Sequence, residues 1–157
     1  MNLNHNVFDL WIFHREPKGG TKYLLLKASK EKADRHFNGV QFWQIPCQMQ
    51  VPELSLIGRA EHLLSSRKIS AKSIWAVEHA YTIYNRRFDE MQLISVFAAE
   101  VDQPQEYHFD SGHAEYGWFT YAECQEKLNY RGLKEGLYWL RQYISENPTP
   151  SEEFRLA

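Results

Sequence analysis

The chain has 157 residues, enough for one domain with a single hydrophobic core, and its apolar (43%) and charged (24%) fractions are ordinary for a globular protein. The net charge of −2 offers no basic excess, which argues against a nucleic-acid partner held by its phosphates. Cys47 and Cys124 form no CxxC pair, so we expect neither a disulfide framework nor a zinc site. No basic leader and no run of 18 apolar residues occurs, so we expect no membrane partner and a cytoplasmic location.

The first half of the chain predicts three strands and then a helix: 7–13, 22–28, 40–46 and 55–67. Gly19-Gly20 marks a turn between the first two strands, which therefore predict a hairpin. The segment 29–39 is polar and ends in Asn38-Gly39, a strong turn signal. A loop over 47–54 leads to the helix, whose apolar residues fall at helical spacing and for which Ser55 is the candidate N-cap.

The second half predicts two long strands, a short strand and two helices: 73–84, 91–101, 115–120, 120–128 and 131–146. Thr120 followed by Glu123 fits a capping box at the start of the first of these helices. The order of the predicted elements is a hairpin, a strand, a helix, further strands and two helices. This order predicts an α+β fold with a mixed sheet and helices on its faces. Residues 1–146 are expected to form the domain, and residues 147–157 a C-terminal tail.

A short motif precedes the first predicted helix. Trp43-Gln44-Ile45-Pro46 ends the third strand, and the loop and helix that follow resemble the Nudix box, a 23-residue loop–helix segment preceded by Trp-x-x-Pro-Gly. With Cys47 on the first Gly of the box, Glu53 falls on its first Glu, and Leu63 and Ile69 fall on its two aliphatic positions without a gap. The closing segment 113–119 is also similar to Nudix proteins, above all to the dihydroneopterin triphosphate pyrophosphatase type, and the resemblance covers residues 7–146.

The resemblance implies a Nudix-type α/β/α sandwich with a mixed central sheet. It further implies a hydrolase that cuts a nucleoside polyphosphate or a related pyrophosphate, with Mg²⁺ or Mn²⁺ held by carboxylates of the box helix. The expected partner is a small nucleotide or pyrophosphate ligand, and the sequence leaves the oligomeric state open.

The box helix lacks the carboxylates that this chemistry uses. In the same register, Glu61-His62 stand on the family's Arg-Glu, Ser65-Ser66 on its Glu-Glu, and Lys68 on its second Gly. His62, Ser65 and Ser66 share one helix face, where a neutral imidazole and two hydroxyls supply no negative charge. Magnesium prefers anionic oxygen ligands in octahedral geometry, so the sequence predicts an atypical or impaired metal site.

The resemblance still supplies candidate site residues. The candidate catalytic residues are Glu53, Glu115 and Glu78, the last on a predicted strand that is expected to face the region of Glu115. The candidate metal ligands are Glu53, Glu61, His62 and Glu115. Each has an alternative interpretation as an ordinary solvent-exposed residue of a helix, strand or loop.

The candidate substrate-binding residues are basic, aromatic or amide side chains: Arg15, Lys27, Trp43, Gln44, Tyr81 and Arg86. Basic side chains at strand ends can meet phosphates, and Trp43 and Tyr81 can stack on a base. Arg86 has an alternative interpretation as part of a solvated hairpin tip.

Two hypotheses follow for the function. The first is a Nudix hydrolase with an atypical metal site, and the second is a catalytically inactive Nudix-fold module that binds a nucleotide. Magnesium-dependent turnover distinguishes them, because only the hydrolase would show it.

Overall fold

The computed structural model describes residues 1–48 and 53–157. One mixed sheet contains its seven strands: β1 (Asn2–Arg15), β2 (Thr21–Ala28), β3 (Trp43–Gln44), β4 (Cys47–Gln48), β5 (Ser73–Asn85), β6 (Glu90–Glu100) and β7 (His113–Phe119). Four α-helices accompany the strands: α1 (Lys30–His36), α2 (Leu56–Ser66), α3 (Tyr121–Lys127) and α4 (Arg131–Leu140).

The strand β1 lies at the centre of the sheet. It is antiparallel to β2 and β4 and parallel to β6, which pairs in turn with β5. The main strand order is β3-β2-β1-β6-β5, and β7 pairs with β2 as well. The predicted mixed sheet and the hairpin of β1 with β2 are therefore confirmed.

Both faces of the sheet are covered, which explains why β1 is nearly continuously apolar. Side chains alternate between the faces along a strand. Leu10 and Ile12 point to α2, in a cluster with Leu63 and Leu64. Trp11 and Phe13, of the opposite parity, point to α3 and α4, in a cluster that includes Cys124 of α3 and Leu133, Leu137 and Leu140 of α4. The predicted α/β/α sandwich is confirmed.

Two helices begin at the caps that the sequence predicts. The Ser55 hydroxyl accepts a hydrogen bond from the Gly58 amide at 3.1 Å at the start of α2. At α3, Thr120 and Glu123 form the reciprocal capping box, each side chain accepting from the other residue's backbone N–H. Such a side chain satisfies a backbone donor that has no partner within the helix.

Two predictions in the first half are wrong. The segment 29–39 contains the helix α1, which Ser29 caps. Its sequence shows no apolar stripe, because Ala33 is the one buried residue of the helix. The predicted strand 40–46 is reduced to Trp43–Gln44, and Cys47–Gln48 of the predicted loop pairs with β1 instead. Residues 49–52 of that loop lie outside the described residues.

The last residues of the chain lie along β5. The Leu156 amide donates to the Ile74 carbonyl at 2.7 Å, the Ile74 amide donates to the Ala157 carbonyl at 3.0 Å, and Arg155 forms a bridge with Trp75. The final predicted helix ends as a π-helical turn, Arg141–Ser145. Within residues 1–48 and 53–157, no helix combines the length and the apolar character that a membrane crossing requires.

Candidate functional site

The box helix α2 separates its packing residues from its polar residues. Leu63 and Leu64 are buried against the sheet, whereas Glu61, His62 and the two serines of the helix are exposed. The Ser66 hydroxyl donates to the Leu63 carbonyl at 2.7 Å. The outer face therefore presents one carboxylate, one imidazole and hydroxyls, a set poorly suited to Mg²⁺.

The end of α2 fits the register in which the sequence was matched to the Nudix box. Lys68 stands on the second Gly of the box, and its φ of 58° lies in the left-handed region that glycine adopts most readily. Leu63 and Ile69, on the two aliphatic positions, are buried in the core beneath the helix. The matching aliphatic positions are thus packing residues, whereas the substituted polar positions face solvent.

A cavity of about 430 Å³ lies beside the last turn of α2. Glu61 and Ser65 line it on the helix side, and Lys68 and Lys72 line it at the connection to β5. The Lys72 ammonium lies 3.7 Å from a carboxylate oxygen of Glu100 and 3.8 Å from one of Asp102. Because carboxylates already accompany Lys72, this cavity has little excess positive charge for a phosphate.

The candidate metal ligands do not come together. Glu115 pairs with Lys27, which points to the α3–α4 face of the sheet, whereas Glu61 and His62 belong to α2 on the other face. Glu53 is exposed ahead of α2. Among the residues that the structure describes, no three His, Cys, Asp or Glu side chains form a group that could hold a metal ion.

The α3–α4 face carries a set of side chains that we call the lysine–tryptophan cluster: Lys27, Trp43, Glu115, Phe119 and Lys127. The Lys127 ammonium lies 5.0 Å from the Trp43 ring centroid and 4.7 Å from that of Phe119. The Lys27 ammonium lies 5.7 Å from the same Trp43 ring and 3.9 Å from a Glu115 oxygen. Two cations thus meet at one indole, a favourable cation–π arrangement.

Three of the predicted site residues, Lys27, Trp43 and Glu115, belong to this cluster. Their proximity follows from β2, which pairs with β3 on one edge and with β7 on the other. Sequence reasoning missed Phe119 and Lys127. Lys127 ends α3, where a basic residue serves the helix dipole equally well, so no local signal relates it to Trp43.

A buried carboxyl lies on the same face. Asp9 of β1 is 3% exposed, and it accepts a hydrogen bond from the Tyr81 hydroxyl. Burial raises the pKa of Asp9 from 3.8 to about 7, although the hydrogen bond from Tyr81 acts in the opposite direction. The hydroxyl of Tyr81, whose ring is predicted to stack on a base, is thus engaged with Asp9, a residue that the sequence prediction did not include.

The remaining predicted site residues lie apart from the cluster. Arg15 donates to the Ile144 carbonyl at 2.9 Å, and Gln44 accepts from the Lys32 ammonium at 3.2 Å. Arg86 is exposed in the connection between β5 and β6.

The expectation that Glu78 faces the region of Glu115 is wrong. Glu78 lies on β5, at one edge of the sheet, whereas β7 pairs with β2 beyond β6 and β1. At least four inter-strand spacings separate the two residues, on the order of 20 Å.

No family model matches the chain, and no curated protein matches it. Solved structures do. A protein described as a Nudix hydrolase from Listeria monocytogenes has a TM-score of 0.74 and 14% identity, over 92% of this chain and 97% of that chain. The Nudix domain of Shewanella oneidensis NrtR, complexed with ADP-ribose, has a TM-score of 0.67 and 14% identity, over 92% and 89%.

The dihydroneopterin triphosphate pyrophosphohydrolase of E. coli has a TM-score of 0.65 and 10% identity, over 94% of this chain and 100% of that chain. At these identities the likeness establishes the fold. The chain has the Nudix fold, and the resemblance that the sequence indicates is confirmed at that level.

Proposed function

We propose that this Nudix-fold protein binds a nucleoside polyphosphate or a related pyrophosphate at the lysine–tryptophan cluster. The observation that carries the proposal is the convergence of Lys27 and Lys127 on Trp43. Glu115 is the one carboxylate within salt-bridge distance of Lys27, and no ion pair engages Lys127 in the described part of the chain. The cluster therefore has positive charge to spare for an anion.

Each part of such a ligand has a partner with suitable chemistry. Ammonium groups bind phosphate oxygens through charge-assisted hydrogen bonds. The Trp43 and Phe119 rings, 5.3 Å apart and nearly perpendicular, offer aromatic surface to a base. The ADP-ribose complex of the NrtR Nudix domain supports a nucleotide as the ligand, since the two chains share the fold.

Hydrolysis with Mg²⁺ is expected to be weak or absent. The exposed face of α2 offers a single carboxylate, Glu61, and His62, Ser65 and Ser66 stand where the family has carboxylates. These side chains do not fit a hard divalent cation that must neutralise a pyrophosphate. The protein is accordingly proposed as a nucleotide-binding module.

A pyrophosphohydrolase with an atypical metal site is the second candidate. Its supporting observation is Glu115, an exposed carboxylate that lies 3.9 Å from the Lys27 ammonium and hence beside the proposed phosphate site. In that position a carboxylate can act as a general base toward water or as a metal ligand. The fold likeness to hydrolases supports the same candidate.

One experiment compares the two candidates and tests the ligand site. A panel of nucleoside triphosphates, dinucleoside polyphosphates and nucleotide sugars is screened by thermal shift and by phosphate or pyrophosphate release, with Mg²⁺, with Mn²⁺ and without metal. The module predicts stabilisation without turnover, because a ligand of the native state raises stability. Robust turnover that is lost in Glu115→Gln would replace the module with the hydrolase.

Variants locate the binding site. Lys127→Met is expected to weaken binding about tenfold, since hydrogen bonds to charged groups contribute roughly 1.5–3 kcal/mol. Lys18→Met removes the same charge from the exposed turn between β1 and β2, and it should leave binding unchanged. Equal affinity of the two variants, or the absence of any stabilising nucleotide, would contradict the proposed site.

A further inference from the structure

The strand β5 contains a bulge with an unusual backbone. Its pairing with β6 runs through Ala76↔Phe97 and resumes at Ala80↔Ser95, so three residues of β5, Val77–His79, oppose the single residue Val96. At the middle of this bulge Glu78 has a φ of 56°. This conformation costs a non-glycine residue free energy. Residues with such a strained backbone cluster at binding sites, where a bulge can direct a side chain to a ligand.

A cavity of about 370 Å³ opens beside the bulge, lined by Val77, Glu78, His79, Trp139, Tyr143 and Phe154. The Trp139 and Tyr143 rings are stacked, with centroids 5.7 Å apart and planes at 25°. Trp139 is 36% exposed and Tyr143 is 49% exposed, so part of each ring surface remains accessible to a ligand. Together with Phe154 they give the cavity three aromatic walls.

The polar groups of the cavity lack partners. Glu78 is exposed, and its carboxylate forms no ion pair with any described residue. The Nε2 atom of His79 is buried and has no hydrogen-bond partner in that same part of the chain. No lysine or arginine lines the cavity. One anionic group and three aromatic walls thus face a common space.

We propose that this cavity binds a small organic cation of the guanidinium class. A planar guanidinium stacks on indole and phenol faces, which attract cations through their quadrupoles. Its N–H groups can donate to the Glu78 carboxylate through charge-assisted hydrogen bonds. The strain at Glu78 is then part of a binding site.

The site is separate from the lysine–tryptophan cluster. Glu78 lies at the opposite edge of the sheet from β7, and no residue belongs to both sets. Its occupant has the opposite charge to the pyrophosphate ligand, because the cluster presents ammonium groups and the cavity presents a carboxylate. The two proposals can therefore fail independently.

Titration with methylguanidinium tests the cavity, and N-methylurea, which has nearly the same shape without the charge, is the control ligand. The readout is the indole N–H resonance of Trp139, assigned by its loss in Trp139→Phe. Saturable shifts are expected with methylguanidinium and none with N-methylurea at equal concentration. Equal shifts with both ligands, or none with either, would overturn the proposal.

Variants of the bulge add a second readout. Glu78→Gln should weaken methylguanidinium binding at least about fivefold, because it removes the only negative charge of the cavity. Glu126→Gln, on the exposed side of α3, should bind as the wild type does. Glu78→Gly suits a φ of 56° and should raise thermal stability while losing binding. Unchanged affinity in both Glu78 variants would show that the carboxylate plays no part.

A comparison of two larger probes identifies the source of the guanidinium group. Agmatine is a free guanidine, and N-acetylarginine amide represents an arginine side chain of a peptide. Tighter binding of the first assigns the cavity to a free guanidine, and tighter binding of the second assigns it to an arginine side chain. Binding of neither would overturn the proposal, since both contain the group in question.

Discussion

At the scale of single residues, Asp9 shows how burial and hydrogen bonding compete. Its carboxyl is buried and accepts a hydrogen bond from the Tyr81 hydroxyl, and its pKa is raised to about 7 because desolvation outweighs that hydrogen bond. Below a pH of about 7 the folded protein holds this proton. The unfolded chain, with an ordinary aspartate pKa near 3.8, releases it above a pH of about 4.

Stability is therefore expected to fall as the pH rises from about 4 to about 7, and to level off above that window, as far as Asp9 determines it. Asp9→Asn removes this dependence and still offers an oxygen to Tyr81, so it should stabilise the fold at pH 8 by roughly 1–4 kcal/mol. Urea unfolding at pH 5 and pH 8 measures the difference.

Asp34→Asn is the matched control, because it makes the same change of charge on an exposed residue of α1. The free energy of unfolding of this control should change with pH in the same way as that of the wild type. If Asp9→Asn also showed this pH dependence, the Asp9 carboxyl would not be the group that holds the proton.

At the scale of secondary-structure elements, the start of α4 is fitted closely to β5. Gly132 lies so near the Tyr81 ring that a Cβ atom at this position would overlap the ring carbons. The second glycine of the helix, Gly136, has its nearest neighbours, Trp11 and Val96, at 3.5 Å, which is ordinary van der Waals distance. The two glycines therefore have different reasons to be glycine.

Gly132→Ala is expected to destabilise the fold by about 1–3 kcal/mol, because the helix must move away from Tyr81. Gly136→Ala should be neutral or stabilising by up to about 1 kcal/mol, because alanine has the higher helix propensity. Urea unfolding of both variants tests this contrast. In a Tyr81→Ala background the cost of Gly132→Ala should disappear, and a cost that persists would assign the strain to another contact.

How far the sequence predicts an element depends on how local its signal is. Strands and helices with an apolar period or a cap at a fixed offset, such as α2 after Ser55 and α3 after Thr120, are predicted within a few residues. The helix α1 has one buried residue and no stripe, so its sequence resembles a loop.

The candidate site is less predictable for the same reason. Lys27, Trp43 and Glu115 come together through the pairing of β2 with β3 and β7, and that pairing has no local signal. Lys127 and Asp9 join the same face through long-range packing alone. The separation of Glu78 from Glu115 likewise depends on the strand order, which periodicity along the chain does not determine.

At the scale of the whole molecule, the segment that resembles the Nudix box keeps its packing residues apart from its polar residues. Leu63 and Ile69 are buried in the core beneath α2, and Lys68 has a φ of 58°, in the region that glycine adopts most readily. The polar face of the helix takes part in none of this packing. Its composition can therefore change without loss of the fold.

That separation predicts a gain of metal binding. The triple variant His62→Glu, Ser65→Glu, Ser66→Glu places three carboxylates on one exposed helix face, and calorimetric titration should show Mg²⁺ binding at least about tenfold tighter than in the wild type. The variant with glutamine at the same three positions has nearly equal bulk and no charge, so it should show no increase. Because α2 lies on the face of the sheet opposite the lysine–tryptophan cluster, pyrophosphate release should not rise in either variant. A folded Glu variant with no gain in Mg²⁺ affinity would mean that the three carboxylates do not meet at one ion.

The place of β1 at the centre of the sheet also bears on how the chain is made. Asn2 pairs with Glu90 and Phe13 pairs with Glu100, so during synthesis β1 waits for one of its two main neighbours until β2 to β5 have been made. The segment Val7–Phe13 is buried in the native protein, and the face that carries Trp11 and Phe13 stays uncovered until α3 and α4 have been made as well. We expect the domain to fold late and slowly during synthesis, with this N-terminal segment as the site where a chaperone would bind the nascent chain.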